Sequence, residues 1–572
     1  MKKFFKVEVI LILIILVASF LRLWKLSFNP VSLFGDELDL GYQAYSFLKT
    51  GQDYSGNFLP IHFHSLAEWR TPLYLYSAVP TVAIWGISPL GVRLPAAIFG
   101  ILSVYVLYLL ILQTTKNKRL GLIAASVMAI NPWHLQYSRA GFEVTLLIFL
   151  LLLGVYYFFK SLNEGKYLWL SIFCLTLTPW VYSTAKLFTP FLMIFLFFNW
   201  KKEVLSINRK DLIKSAVIGL LIGLPIAINT IAGGGAERFG YISVFTDPTT
   251  ENEVGVSRLI DARIRGEQGT GLTPKFFDRV VHNKFTYWGT TILNNYLSAY
   301  STNFLFVKGD PNLRHSIGIG EFYKVDALML IIGLILFFTS KSQDKKFKLF
   351  MAFWILFSAV PSAITRDGGN HATRLILMLP AYVFFIAFGL SEGYELLSKK
   401  YKTLGILFYV LAIFVSFVLY QHEYWVHYPQ TSERWWHYGW SQGIKEIRNI
   451  DSNYDKVFIS MSGEPAWIFF AGQYEYSPEK WHKGFPMKDG FAEGFGGMSY
   501  IDKFYFGSPD EDGAGIWTLY KYITPKDLYL ANAKEVGPNL IMHPESVPTG
   551  LKLLKAIAFP SGEPAFYLFT KN

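Results

Sequence analysis

Cysteine is nearly absent from this chain, and its scarcity removes whole classes of chemistry. Among 572 residues there is one, Cys174, so neither an intrachain disulfide nor a cysteine-built metal centre is available. Charge is scarce too. Asp, Glu, Lys and Arg make up 17% of the chain, against about a quarter in ordinary soluble domains. Acid is the scarcer sign, 42 Asp and Glu against 53 Lys and Arg, for a net charge of +11. That excess does not form a nucleic-acid face, because the cations fall in short clusters between apolar runs, as in the cytoplasmic loops of membrane proteins. Internal repeats and low-complexity tracts are also missing. What abounds is apolar: 52% hydrophobic residues, 17% aromatic, and a mean hydropathy of +0.30. Such a chain is not a soluble globule. It reads as a polytopic α-helical membrane protein.

A helix needs about 20 apolar residues to cross the hydrocarbon core. That rule marks spans near 7–24, 89–112, 120–132, 142–159, 167–182, 186–199, 213–231, 325–339, 348–364, 372–391 and 403–420, about 11 in all. The opening "MKKFFKVEVILILIILVASFLRLWKL" resembles a signal peptide, but its apolar run is long and lacks an A-x-A cleavage site, so an uncleaved first span is expected. The loops "QTTKNKR", "KSLNEGK", "NWKKEVLSINRKDLIK", "SKSQDKKFK" and "SKKYK" are basic and fall on one side with the N-terminus. That side should be cytoplasmic, in the cytoplasmic membrane of a cell. The outer side then receives segments 25–88 and 232–324 and everything after 420. Stretches 36–49 and 72–88 read as short helices along the interface. The expected division is a transmembrane domain over 1–420 and an extracytoplasmic α/β domain over 421–572. In the latter, "KVFIS", "KFYFG", "NLIMH" and "AFYLFT" read as strands and "GEPAWIFFAGQY" as a helix.

Polar residues crowd the outer face. "LFGDELDL" sets Asp36, Glu37 and Asp39 directly after the first span. Cations recur at outer span ends, where the positive-inside rule disfavours them: Arg70 in "EWRTPLY", Arg93 in "GVRLPAA", Arg139 in "QYSRAGFEV", Lys186 in "YSTAKLFTP", and His371 with Arg374 in "HATRLILMLP". The long loop adds Asp310, Arg314 and His315 in "GDPNLRHS". An anionic lipid phosphate suits such cations, since Arg and Lys bind phosphate through charge-assisted hydrogen bonds. A carboxylate beside them can act as general base on an incoming hydroxyl or amine, with the phosphate as leaving group. Together these describe sugar transfer from a polyprenyl-phosphate donor. Each residue also has a plainer reading: a solvated loop acid, or an interfacial cation with its head in water. His62, His64 and Glu68 have an H-x-H spacing that is common by chance, so no metal ligands are assigned. A divalent metal remains open.

The succession of "GDE", "WRTPLY", "NPWHLQYSRAGFE", "YSTAKLFTP", "GDPNLRHS" and "HATRLILMLP" resembles the GT-C superfamily over roughly 1–420. It is most similar to bacterial family 39 glycosyltransferases related to protein O-mannosyltransferases and to the aminoarabinose transferase of lipid A. The resemblance implies a polyprenyl-phosphate-sugar donor, an extracytoplasmic site and inversion at the sugar carbon. It makes Asp36 the catalytic base with Glu37 beside it, and Glu143 a second acid where relatives usually have Asp. Arg70, Lys186, His371 and Arg374 then fall to the donor phosphate, although this chain has Thr71-Pro72 where relatives have a Pro-Pro pair. The acceptor, whether protein, lipid or glycan, stays open. Rival readings are an oligosaccharyltransferase or O-antigen-ligase type of transferase, a lipid-linked-sugar transporter, and a noncatalytic scaffold. The transporter normally carries its charges at mid-membrane, whereas most charges here sit at span ends.

Overall fold

The structure, a computed structural model, describes residues 2–65, 68–233, 235, 237–269, 273–462, 464–484, 500–509 and 515–572. Each apolar run read as a span contains a helix. Six described helices are long and apolar enough to cross a membrane: Pro89–Thr115, Val144–Ser161, Arg209–Ala232, Lys345–Ala363, Ala372–Leu396 and Lys400–Thr431. Leu73–Trp85, Ala185–Asn199 and Asp326–Thr339 are shorter apolar helices, and the run expected at 120–132 is a helix of only 13 residues, Lys118–Ile130.

Local chemistry sets the ends. The Ser88 hydroxyl accepts the Gly91 N–H at 3.1 Å with Pro89 at the first helical position, and Asn131 caps Pro132–Ser138 in the same manner at 2.9 Å. Small residues set the packing. A Cβ on Gly333 would fall 1.8 Å from the Phe385 carbonyl oxygen, and one on Gly389 2.0 Å from that of Met329. Helices Asp326–Thr339 and Leu379–Leu396 therefore cross backbone against backbone, as small residues permit inside a bilayer. In the most apolar 18-residue windows of helices Arg209–Ala232 and Lys400–Thr431 only 11% and 6% of the residues are buried, so both helices present apolar surface on the outside of the bundle.

The segment after the first helix folds as helix Gly35–Thr50, a hairpin of Phe63–Ser65 against Glu68–Arg70, and helix Leu73–Trp85. Near the C-terminus a six-stranded mixed sheet runs in the order Tyr500–Ile501, Phe504–Phe506, Lys456–Ile459, Asp527–Asn532, Pro564–Lys571, Leu551–Ala558. Lys456–Ile459 pairs parallel with both neighbours. Helix Ala466–Tyr474 covers the "GEPAWIFFAGQY" stretch as expected. "NLIMH" does not form a strand. Bounded by Pro538 and Pro544, it is a turn in which the Asn539 side chain accepts the N–H groups of Ile541 and Met542. Asp527–Asn532 and Leu551–Ala558 take its place in the sheet. This domain shares its core with the segment that follows the first helix: Leu38, Tyr42 and Tyr54 are buried together with Trp467, Phe469 and Trp481.

Candidate functional site

Helix Gly35–Thr50 opens with the acids, whose charges suit the positive end of a helix dipole. Successive residues on a helix point about 100° apart, and here that turn separates two neighbours completely. Asp36 faces outward, its side chain 38% exposed, and pairs with Arg70 at 3.1 Å. Glu37 faces inward at 0% exposure. Its carboxylate accepts Arg93 Nε at 2.7 Å, Arg93 Nη2 at 2.8 Å and the Gly141 N–H at 2.6 Å. Asp39, one turn beyond Asp36, is buried and accepts the Ser65 hydroxyl at 2.5 Å. Burial pushes it up to about 7, against the opposing pull of the Arg70 charge.

Arg70 lies between Trp69 and Thr71 at the end of its strand. Side chains alternate along a strand, so those two neighbours share a face, and both line a cavity of about 250 Å³. Thr71 Oγ1 donates to the Val181 carbonyl at 2.6 Å, tying this strand to the loop that leads into helix Ala185–Asn199. From that loop and helix, Ser183, Thr184 and Lys186 enter the same cavity, and Arg374 and Thr365 close it from the other side. Lys186 Nζ donates to the Gly235 carbonyl at 2.9 Å and meets His62 Nε2 at 3.0 Å. Burial first, then the Lys186 charge, holds His62 down to about 4. The imidazole is thus neutral and accepts from the ammonium through Nε2. Arg374 Nη1 donates to Thr365 Oγ1 at 2.8 Å.

Lys186 and Arg374, 188 positions apart in the numbering, therefore line one cavity with Trp69 and Thr71, the residues on either side of Arg70. Two other expected phosphate ligands are held by the protein itself. Arg93 is fully buried, spending its guanidinium on Glu37 and on the carbonyls of Pro30 and Ser32 at 2.7 and 2.5 Å. Arg139, 2% exposed, donates to Tyr424 Oη and to the carbonyls of Leu21, Arg22, Lys25 and Asn29. Its guanidinium also stacks on Tyr424 and Trp425. Both arginines clamp chain segments together and present no exposed face. Neither lines the cavity that holds Lys186 and Arg374. Glu37, as Arg93's partner, is buried with it.

Glu143 is half-buried just before helix Val144–Ser161. Arg314 stacks over Phe34 and Trp435. Asp310, His315 and His371 come together: His315 Nδ1 lies 2.9 Å from Asp310 Oδ2, and the His315 and His371 rings sit 4.8 Å apart. Of the H-x-H acids and bases, His62 serves Lys186, the His64 ring packs edge-on against Trp69, and the Glu68 side chain lies outside the described residues. Trp69 and Thr365, which line the cavity, and Asp39, buried under the influence of the Arg70 charge, are not among the residues expected at the site. The alternation Trp69-Arg70-Thr71 was the signal that could have identified the first.

Residues 70–228 match the family described as dolichyl-phosphate-mannose-protein mannosyltransferase; the match includes Arg70, Glu143 and Lys186 and leaves out Asp36 and Arg374. A candidate mannosyltransferase of Bacillus subtilis (strain 168), YkcB, is 28% identical over 172 residues, which are 30% of this chain and 23% of the relative. A second, YycA of the same organism, is 32% identical over 101 residues, 18% of this chain and 15% of the relative. The chain thus aligns with under a quarter of each curated relative's length. Among solved structures, the oligosaccharyltransferase AglB of Archaeoglobus fulgidus, in complex with an inhibitory peptide and a dolichol-phosphate, superposes with a TM-score of 0.50 at 16% identity, over 82% of this chain and 64% of that one.

Proposed function

From the premise that this chain has the GT-C fold, we propose that it is an inverting glycosyltransferase that moves a sugar from a polyprenyl-phosphate donor to an acceptor on the outer face of the cytoplasmic membrane. One observation carries the reading: Lys186 and Arg374 line a single cavity together with Trp69 and Thr71, the two chain neighbours of Arg70, which pairs with Asp36. The match of residues 70–228 to a lipid-phosphate-sugar transferase family supports the donor class.

The chemistry follows from the side chains. Asp36, the exposed acid, takes the proton from the acceptor hydroxyl as its oxygen attacks the anomeric carbon. The bond from that carbon to the phosphate oxygen breaks on the opposite face, which inverts the configuration. The lipid phosphate leaves with an added negative charge, and Lys186 and Arg374 stabilise it with hydrogen bonds already oriented by His62, Gly235 and Thr365. Arg70, whose two neighbours line the cavity, pairs with Asp36 and fixes the direction of its carboxylate. Trp69 offers an apolar wall for the sugar or the first isoprene unit.

The test is mass spectrometry of envelope glycans, glycolipids and glycoproteins in a strain lacking the gene, with wild type and Asp36→Asn restored from a plasmid. Loss of one sugar, returned by the wild type alone, is the expected result. An unchanged envelope, or full restoration by Asp36→Asn, overturns the assignment.

A further inference from the structure

The Asp310, His315 and His371 cluster has a geometry beyond what sugar transfer from a lipid phosphate requires. One ligand-type atom from each residue lies within 4.8 Å of the other two. Two ligands bound to one ion at about 2.0–2.2 Å, at tetrahedral or right angles, lie roughly 3–3.5 Å from each other. Asp310 Oδ2 and His315 Nδ1 are 2.9 Å apart, and only His371 has to close in. The carboxylate is fixed from behind. The Asn312 N–H reaches Oδ1 at 2.8 Å and the Ala372 N–H reaches Oδ2 at 2.8 Å, the kind of outer support that orients metal-binding carboxylates. Asp310 is buried, while His315 and His371 are half-buried, so an ion has a way in and a coordination position left over.

We infer that Asp310, His315 and His371 form a binding site for a divalent transition ion of the zinc class. The donor set decides the class. Two imidazoles and one carboxylate match a borderline ion, whereas magnesium and calcium favour all-oxygen shells. The rival reading is a bare His–Asp hydrogen bond with a second imidazole packed against it. The three residues come from two chain segments, the loop after Asn303–Val307 and the residue just before helix Ala372–Leu375. An ion here joins them. Arg374 is on that short helix, three residues past His371, so the ion also steadies a guanidinium that lines the cavity. This last role rests on the cavity being the donor site; ion binding does not.

The experiment uses the full chain in detergent, stripped with a chelator, dialysed and titrated with zinc, with bound metal counted and the melting temperature followed. The expected result is one zinc per chain, a melting temperature that rises with zinc, and at least a tenfold loss of affinity in both His315→Asn and His371→Asn. His371→Gln is the fallback if either fails to fold by gel filtration. No stoichiometric zinc, or equal affinity in the folded variants, overturns the site. A chain that takes up one zinc but shows no transferase activity keeps this inference and removes the donor reading instead. Unchanged donor KM after zinc removal removes only the role assigned through Arg374.

Discussion

Two adjacent acids should respond to the same change in opposite ways. In Glu37→Gln the side chain keeps its shape but loses its charge, leaving the Arg93 guanidinium at 0% exposure with only carbonyl oxygens around it. Breaking a buried pair on one side typically costs about 3–5 kcal/mol, because the remaining charge is stranded. Three hydrogen bonds end on that carboxylate, so the upper part of the range is expected. Asp36→Asn removes an ion pair whose members are 23% and 38% exposed, and exposed pairs contribute only about 0–1 kcal/mol. Its folding should therefore hold while turnover falls by about 10²–10⁴, the usual loss with a general base. The assay is a thermal melt in detergent beside single-turnover transfer from a polyprenyl-phosphate sugar. A rescue arm, Glu37→Leu with Arg93→Met, should recover part of the lost stability, since it removes the stranded charge but takes their side-chain partners from the Gly141 N–H and the Pro30 and Ser32 carbonyls. The reasoning fails if Glu37→Gln melts like wild type, or if Asp36→Asn unfolds or keeps normal turnover.

Lys186→Ala and Arg374→Ala should raise donor KM several-fold or more, each losing charge-assisted hydrogen bonds of about 1.5–3 kcal/mol; normal donor kinetics in both would detach the cavity from the phosphate. A cysteine at the exposed Ser452 should react with an impermeant thiol reagent in intact cells, with little background because Cys174 is buried; labelling only after lysis would reverse the sidedness. His62 titrates near 4 when folded and at 6.5 when free. The unfolded chain thus binds more protons between those values, and the stability His62 lends above 6.5 is lost as pH falls toward 4. The melting-temperature difference between wild type and His62→Gln should shift across that window, and parallel curves would refute it.

The membrane helices were legible because each needs a long apolar run, and runs survive in one dimension. The strands of the tail were half legible. "KVFIS" and "AFYLFT" are dense in β-branched and aromatic residues, whereas Leu551–Ala558 carries Lys552 and Lys555 and an irregular register against Pro564–Lys571, and "NLIMH" looks like a strand until its flanking prolines and Asn539 are weighed. The site was legible as a set of charges and not as a set of directions. Position near a span end cannot tell an arginine that faces a cavity, such as Arg374, from one that turns inward, such as Arg93 or Arg139. The helical turn says that Asp36 and Glu37 part company; only the neighbours of each decide which one is buried.

The shared core of the tail and the helix Gly35–Thr50 has an evolutionary consequence. Gly472 admits Leu38 so closely that a Cβ there would lie 3.0 Å from Leu38 Cδ2, and Phe469 reaches within 3.8 Å of a Cβ on Gly35, the residue before Asp36. The tail and the helix bearing Asp36 thus form one packed unit. Any substitute must present the same contour to the helix bearing the acid, so diversification should concentrate on the far side of the sheet, and chimaeras joined near residue 420 should fail unless Gly35–Tyr54 travels with the tail.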